Sequence, residues 1–283
     1  MDALAQIELA LSESLTFEPG GPPRLSAAIQ HAVFPGGMRV RPRLCLAVAA
    51  ACGGRDRRLT EGSAAAIELL HCASLVHDDL PCFDDAATRR GMASVHAVFG
   101  APLAVLAGDA LIALSFETMV RAGAGTELLL LLARAAGTPF GLVAGQAWEA
   151  ERDCVLATYQ RAKTASLFSL ATMTGALSAH APAEPWRALG ERLGEAYQVA
   201  DDIRDVTLDA EHLGKPAGRD AALGRPSAAL QHGVEFATAR VEQLVRDAID
   251  AIPACGQRDM LRTLILGELT RLLPEDLVLR AAA

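Results

Sequence analysis

Two short stretches concentrate carboxylates. HDDLPCFDDAATRRG, residues 77–91, places Asp78, Asp79, Asp84 and Asp85 within eight residues at the end of an apolar run. YQVADDIRDV, residues 197–206, adds Asp201, Asp202 and Asp205. Crowded carboxylates repel one another and favour protonation unless a cation compensates them. Oxygen-only ligand sets of this kind suit Mg²⁺, especially where phosphate oxygens complete the shell. On a helix, Asp201 and Asp205 stand one turn apart and share a face, whereas the neighbours Asp78 and Asp79 diverge. A solvated helix end is the plainer account of either cluster alone. Two clusters, each on an apolar helix and each flanked by basic residues, favour one shared divalent-metal site.

The basic residues extend this chemistry. Arg39, Arg41 and Arg43 follow the Gly36-Gly37 turn, Arg89 and Arg90 follow the first acid cluster, Lys163 lies on a later helix, and Lys215 follows the second cluster. Guanidinium groups grip phosphate oxygens through paired hydrogen bonds. One diphosphate could be held through metal and another directly by arginines. Each cation taken singly reads equally as a surface ion-pair partner, and Arg43 is assigned to that role. His71 stands seven residues before Asp78, two turns away on nearly the same face. From spacing alone, a buried structural histidine and a phosphate contact are both open.

These groups need helices to position them. Apolar periodicity predicts helices over 2–14, 25–34, 60–79, 102–120, 126–137, 141–151, 158–179, 187–206, 227–252 and 257–272. Another begins near Met38, with Pro42 close to its start, where a missing amide hydrogen costs nothing, and ends at Gly53-Gly54. Pro81 closes the 60–79 helix, because proline disfavours helical dihedrals in the residue before it. Residues 207–227 read as a polar loop with room for one short helix. No β–α alternation, dinucleotide glycine fingerprint, linker or repeat occurs. One all-α domain over 1–283 is the economical reading.

Composition sets outer bounds. Of 283 residues, 51% are hydrophobic, 21% charged and only 4% aromatic, and abundant Ala and Leu favour helix. Thirty-four acids against 26 bases give a formal charge of −8, which disfavours general nucleic-acid binding. The six cysteines form no CxxC pair, so reduced thiols in a cytoplasmic protein are expected. An acidic N-terminus lacks the basic segment of a secretion signal. The apolar windows APLAVLAGDALIALSF and ELLLLLARAAG read as buried helices, so no stable membrane insertion is expected.

Several motifs in one order carry a family resemblance: GGMRVRP at 36–42, HDDLPCFDD…RRG at 77–91, Gly108-Asp109, Gly145-Gln146, Lys163-Thr164, YQVADDIRDV and LGKPAGRD at 213–220. From Gly36 to Arg225 the chain resembles the short-chain trans-isoprenyl diphosphate synthases of the polyprenyl synthetase family. It looks especially like the geranylgeranyl diphosphate synthases of purple photosynthetic bacteria. The resemblance implies a homodimer of the isoprenoid synthase fold, with helices surrounding a deep central cavity. It implies three Mg²⁺ ions, held by Asp78, Asp79 and Asp84 on one side and Asp201 and Asp205 on the other.

Carried over residue by residue, Asp78, Asp84, Lys163, Asp201 and Lys215 would carry catalysis. Arg89, Lys163, Thr164, Gln198 and Lys215 would contact the allylic diphosphate (dimethylallyl, geranyl or farnesyl). Arg41, His71 and Arg90 would hold isopentenyl diphosphate, with Gly36 and Gly37 shaping its approach. The implied reaction is metal-assisted ionisation of the allylic substrate, followed by attack of the isopentenyl double bond. Met38, where the family commonly has lysine, removes one cationic contact. Ala86, Ala87, Met92, Ala93, Glu149 and Arg225 are further departures.

Ala73, with Ser74 beside it, occupies the position where farnesyl-producing relatives commonly carry an aromatic floor. A methyl group there leaves room for the C20 product, geranylgeranyl diphosphate, with carotenoid and bacteriochlorophyll synthesis as the implied context. The alternatives are a farnesyl diphosphate synthase and a non-catalytic regulatory subunit of a prenyl synthase. A terpene cyclase is disfavoured, because Arg41, His71 and Arg90 indicate a second diphosphate site.

Overall fold

The computed structural model describes residues 2–16, 20–34, 36–54, 56–151, 153–207 and 226–270, the side chains of 269 and 270 excepted. Helix dominates, as the composition predicts. In chain order come α1 (Ala3–Ser14), α2 (Pro23–Val33), α3 (Val40–Ala51) and α4 (Arg57–Asp78). A small hairpin follows, β1 (Thr88–Arg89) and β2 (Met92–Ala93), then α5 (Val95–Phe99), α6 (Ala101–Ala122), α7 (Thr126–Ala136) and α8 (Leu142–Ala147). Next are α9 (Leu156–Gln160), α10 (Ser166–Ser178), α11 (Arg187–Thr207), α12 (Ala228–His232), α13 (Val234–Asp250) and α14 (Arg258–Thr270). The architecture is the all-α bundle typical of isoprenoid synthases.

Helix α4 is the central element. The Asp56 side chain caps it by accepting from Leu59 N at 3.0 Å. Ala64, Ala65, Ala66, Ile67, Leu69, Leu70, Cys72 and Ala73 are all buried, so the helix is enclosed on nearly every side. One apolar cluster joins α4 to α3, α7, α10, α11 and α13 through residues such as Val48, Leu132, Phe168, Leu189 and Val241. A second joins its opposite side to α1, α2 and α6 through Leu11, Ile29 and Leu111.

Four expected helices differ in detail. The segment expected over 158–179 contains a wide π turn, Arg161–Ala165, between α9 and α10. The helix expected over 227–252 breaks at Gly233, whose φ of +88° is easy for glycine and strained for other residues. The helix expected over 141–151 ends at Ala147 and continues as a 3₁₀ turn through Ala150. Helix α6 is buried on one side only. Ala104, Ala107 and Leu111 face α4, whereas Leu106 and Val120 are more than half exposed. By length and composition alone α6 could cross a membrane. All six cysteines are free thiols.

Candidate active site

The first acid cluster is assembled by turns rather than by helix. Helix α4 stops at Asp78, and the chain reverses so that Asp84 N donates to Asp78 O at 2.8 Å. Further bonds from Asp85 N to Leu80 O and from Ala86 N to Asp79 O tighten the reversal. Asp78 and Asp84 therefore face one cavity despite their separation in sequence. That cavity, about 330 Å³, is also lined by Asp201 of α11. The two acid stretches do share one space.

Within the first cluster each carboxylate has its own environment. Asp78 Oδ1 accepts from Gln146 Nε2 at 3.0 Å, and the same amide reaches Ser74 O at 3.2 Å. Lys163 Nζ lies 3.9 Å from Asp78 Oδ2. Asp79 does not line the cavity. It is buried behind it and accepts from Arg89 Nε at 2.9 Å. Burial pushes the Asp79 carboxyl upward, against the opposing hydrogen bond from Arg89. Arg89 does line the cavity, with Nη2 3.8 Å from Asp84 Oδ2. Its pKa is raised: burial opposes the charge, but the bond to Asp79 and the charges of Asp79, Asp78 and Asp84 together outweigh that penalty.

The second cluster divides similarly. Asp202 is almost fully enclosed and accepts from Gln198 Nε2 at 2.9 Å, from Ala228 N at 2.8 Å and from Gln160 Nε2 at 3.4 Å. It ties the start of α12 to α11. Asp205 is also buried and lies outside the cavity lining, and its Oδ2 has no hydrogen-bond partner among the described residues. A buried carboxylate oxygen without a donor is costly, so this atom fits a nearby cation. Among the described residues no three His, Cys, Asp or Glu side chains form a metal cage by themselves. Mg²⁺ keeps several waters and takes one or two protein carboxylates together with substrate phosphates, a role open to Asp78, Asp84 and Asp201 on the cavity.

Lys163 is presented by the π turn. Its ammonium pairs with Glu149, which also accepts from Tyr159 OH at 3.0 Å. The hydroxyl of Thr164 donates to Gln198 Oε1. Gly145 lies under the turn so closely that a Cβ there would stand 2.3 Å from Lys163 N and Cα. From the other side, a Cβ at Gly194 would stand 2.3 Å from Ala165 Cα. The turn is clamped.

The arginines separate into holders and held. Arg41 is buried, its guanidinium 4.7 Å from the Phe168 ring centroid and 5.6 Å from that of Tyr197. Its Nε has no partner among the described residues. Burial and the nearby Arg90 charge lower its pKa. Arg90 reaches across from the hairpin turn, where it and Gly91 both have positive φ, as a two-residue type I′ connection requires. Its guanidinium bonds Gly36 O and lies 3.7 Å from Glu68. Gly37, with φ of +141°, makes room for it: a Cβ there would stand 2.7 Å from Arg90 Cζ.

Arg39, a candidate phosphate ligand from sequence, borders the cavity with its guanidinium committed to the framework. It donates to Glu8 at 2.8 Å, Glu68 at 2.8 Å and Val33 O at 2.7 Å. Burial opposes its charge, yet the Glu8 and Glu68 carboxylates hold its pKa above the usual arginine value. Arg43 pairs with Glu268, away from the cavity. His71 lines the cavity, and burial together with Arg41, Arg90, Arg89 and Arg39 drives its pKa well below the ordinary value. It is a neutral imidazole among cations.

Sequence patterns passed over Glu68, and Glu149 entered only as a departure from the family motif. Met38, where the family resemblance implies a lysine, lines the cavity beside Arg41. Ser74 lines it too, whereas Ala73 is packed in the core with Val76, Ala107 and Leu111. Lys215 and Arg225 lie outside the described residues.

The polyprenyl synthetase profile matches residues 22–260. A geranylgeranyl diphosphate synthase of Cereibacter sphaeroides is 46% identical over 282 residues, covering 97% of this chain and 98% of the relative. A second, from Rhodobacter capsulatus, is 47% identical over 257 residues, covering 88% and 89%. The crystal structure of a geranyltransferase from Helicobacter pylori, complexed with magnesium and isoprenyl diphosphate, superposes with a TM-score of 0.83. It is 29% identical and covers 95% of this chain and 96% of that one. Motifs, fold and similarity agree, and the chain belongs to the polyprenyl synthetase family.

Proposed function

We propose that this chain condenses isopentenyl diphosphate with allylic diphosphates in a Mg²⁺-dependent prenyl transfer, and that its product is the C20 geranylgeranyl diphosphate. The observation that carries the reading is the convergence of Asp78 and Asp84 with Asp201 on one cavity that also holds Arg41, His71 and Arg90. Bound Mg²⁺ supplies charge compensation for a departing diphosphate. Asp78, Asp84 and Asp201 would hold it, with Asp205 behind them and three ions as the expected complement. Lys163, Arg89, Thr164 and Gln198 would bind the allylic head group, and Lys215 joins them by its motif. Preorganised cations stabilise the diphosphate charge that develops as the carbon–oxygen bond breaks. Arg41, Arg90 and neutral His71 would orient isopentenyl diphosphate so that its double bond forms the new carbon–carbon bond. The proton then lost passes to the released diphosphate, and no side-chain nucleophile is required.

Two relatives named geranylgeranyl diphosphate synthases support the C20 product, as does the small side chain of Ser74 on the cavity lining. The exposed apolar side of α6 supports a homodimer. Incubation with Mg²⁺, isopentenyl diphosphate and dimethylallyl diphosphate, followed by chromatography, tests both levels. A C20 product that disappears on chelation is expected. Dominant C15 without C20 would assign the chain as a farnesyl diphosphate synthase. An inactive homodimer that activates a partner synthase would make it regulatory.

A further inference from the structure

A second cavity, about 310 Å³, opens on the far side of the π turn, between α7, the loop at 138–140 and the first turn of α11. Its size is in the range of small-molecule pockets. It has no aspartate cluster. Leu131, Leu170 and Met173 line its apolar wall, and Phe140, 70% exposed, stands at its edge. Arg134 and Arg161 border it with no ion-pair or hydrogen-bond partner among the described residues. The remaining guanidinium, Arg187, is engaged by Glu184 at 2.7 and 2.9 Å. Glu191 also lines the cavity, and the two unengaged guanidinia outweigh it. An anion carried on an apolar body fits this combination, because guanidinium pairs bind phosphate oxygens directly and need no metal.

The cavity is mechanically joined to the active site. The π turn shows Arg161 and Ala165 to the second cavity and Lys163 and Thr164 to the first. Close packing against Gly145 and Gly194 keeps the turn from yielding on one side without moving on the other. We propose that the second cavity is a regulatory site for a prenyl diphosphate. The phosphates lie between Arg134 and Arg161, the chain lies along Leu131 and Met173, and occupancy lowers turnover by displacing Lys163 and Thr164. This rests on the prenyl-transfer reading of the first cavity.

The test is equilibrium binding of geranylgeranyl diphosphate to the full chain in EDTA, which suppresses metal-dependent binding in the first cavity. Inorganic diphosphate and geranylgeraniol serve as separate head-group and chain probes. Saturable binding of the amphiphile is expected, weakened at least tenfold in R134E/R161E and retained in D78A, with each partial probe binding much more weakly. In kinetics, added geranylgeranyl diphosphate should inhibit in a way that saturating allylic substrate does not relieve. That component should vanish in R134E/R161E while kcat and KM stay at wild-type values. Leu131→Trp fills the cavity without removing either arginine and should reproduce the loss, which guards against a folding defect in the double variant. Equal binding by R134E/R161E, equal binding of geranylgeraniol, or purely competitive inhibition would overturn the proposal. An inactive wild type with intact EDTA-resistant binding would instead remove the reading of the first cavity.

Discussion

Arg39 and Glu68 form an ion pair at 2.8 Å in which neither side chain has appreciable contact with solvent. Glu68 also faces Arg90 at 3.7 Å, so one carboxylate fixes both the framework arginine and a cavity arginine. Breaking a buried pair by removing one partner costs about 3–5 kcal/mol. Arg39 keeps Glu8 and Val33 O, so Glu68→Gln should cost about 3 kcal/mol, the lower end of that range. Loss of the Glu68 charge also releases Arg90. Urea unfolding should show the stability loss, and steady-state kinetics should show a larger rise in KM for isopentenyl diphosphate than for the allylic substrate. Equal effects on both KM values would separate Glu68 from the Arg90 site.

Gly145→Ala should damage turnover more than binding. The added methyl would stand 2.3 Å from the Lys163 backbone, so the π turn must move. Displacements on the order of 1 Å can cost about 10²-fold in rate. Gly256→Ala, where nothing lies within 4 Å, is the control. A Gly145→Ala enzyme with wild-type kcat would show that the position of Lys163 is not critical.

Product length should fall on enlarging either of two adjacent positions, at different cost to the fold. Ser74 faces the cavity, so Ser74→Phe places a ring directly in the path of a growing chain. Ala73 is 1% exposed, so Ala73→Tyr must first push aside its neighbours on α6, and such overpacking costs about 1–3 kcal/mol. Chromatography should show shorter products for both variants, with a lower melting temperature for Ala73→Tyr. An unchanged product from Ser74→Phe would place the chain's path elsewhere.

His71 predicts an acid-sensitive fold. Its folded-state pKa lies well below 6.5, chiefly because of burial and then because of Arg41 and Arg90. The unfolded chain therefore takes up a proton below about pH 6.5 that the folded chain refuses. Stability should fall as pH drops below that value, by up to about 1.4 kcal/mol per pH unit for one proton. Above about pH 6.5 both states are neutral and the effect vanishes. Urea unfolding of wild type and His71→Gln, without diphosphate, should diverge between pH 7.5 and 5.5, with the variant flatter. Parallel losses would assign the acid sensitivity to other groups.

The helices were legible where periodicity was long. The segments expected over 60–79 and 187–206 match Arg57–Asp78 and Arg187–Thr207 closely. Short-range geometry was not. The hairpin has strands of two residues, too brief to show a period, and its turn depends on positive φ at Arg90. Asp84 meets the same cavity as Asp78 through backbone bonds that no helical wheel contains. Glu68 was hidden because its partners, Arg39 and Arg90, are distant in sequence. Its clue was a carboxylate set within the run Ala64–Leu70, whose other members are apolar, where burial demands a partner. Asp79 and Asp202 are each bonded within the protein beside the cavity, a placement that the spacing of the acids does not reveal.

The cavity lining carries both signs of charge. Asp78, Asp84 and Asp201 share it with Arg41, Arg90 and an imidazole whose pKa is driven well below the ordinary value. Under the proposed function, two substrates bearing the same head group would not be interchangeable here, since aspartates admit a polyanion only in company with cations whereas arginines admit it alone. Scarce divalent ion would then leave one molecule seated and the other excluded, so ion supply would sort the order of arrival without any difference between the head groups themselves.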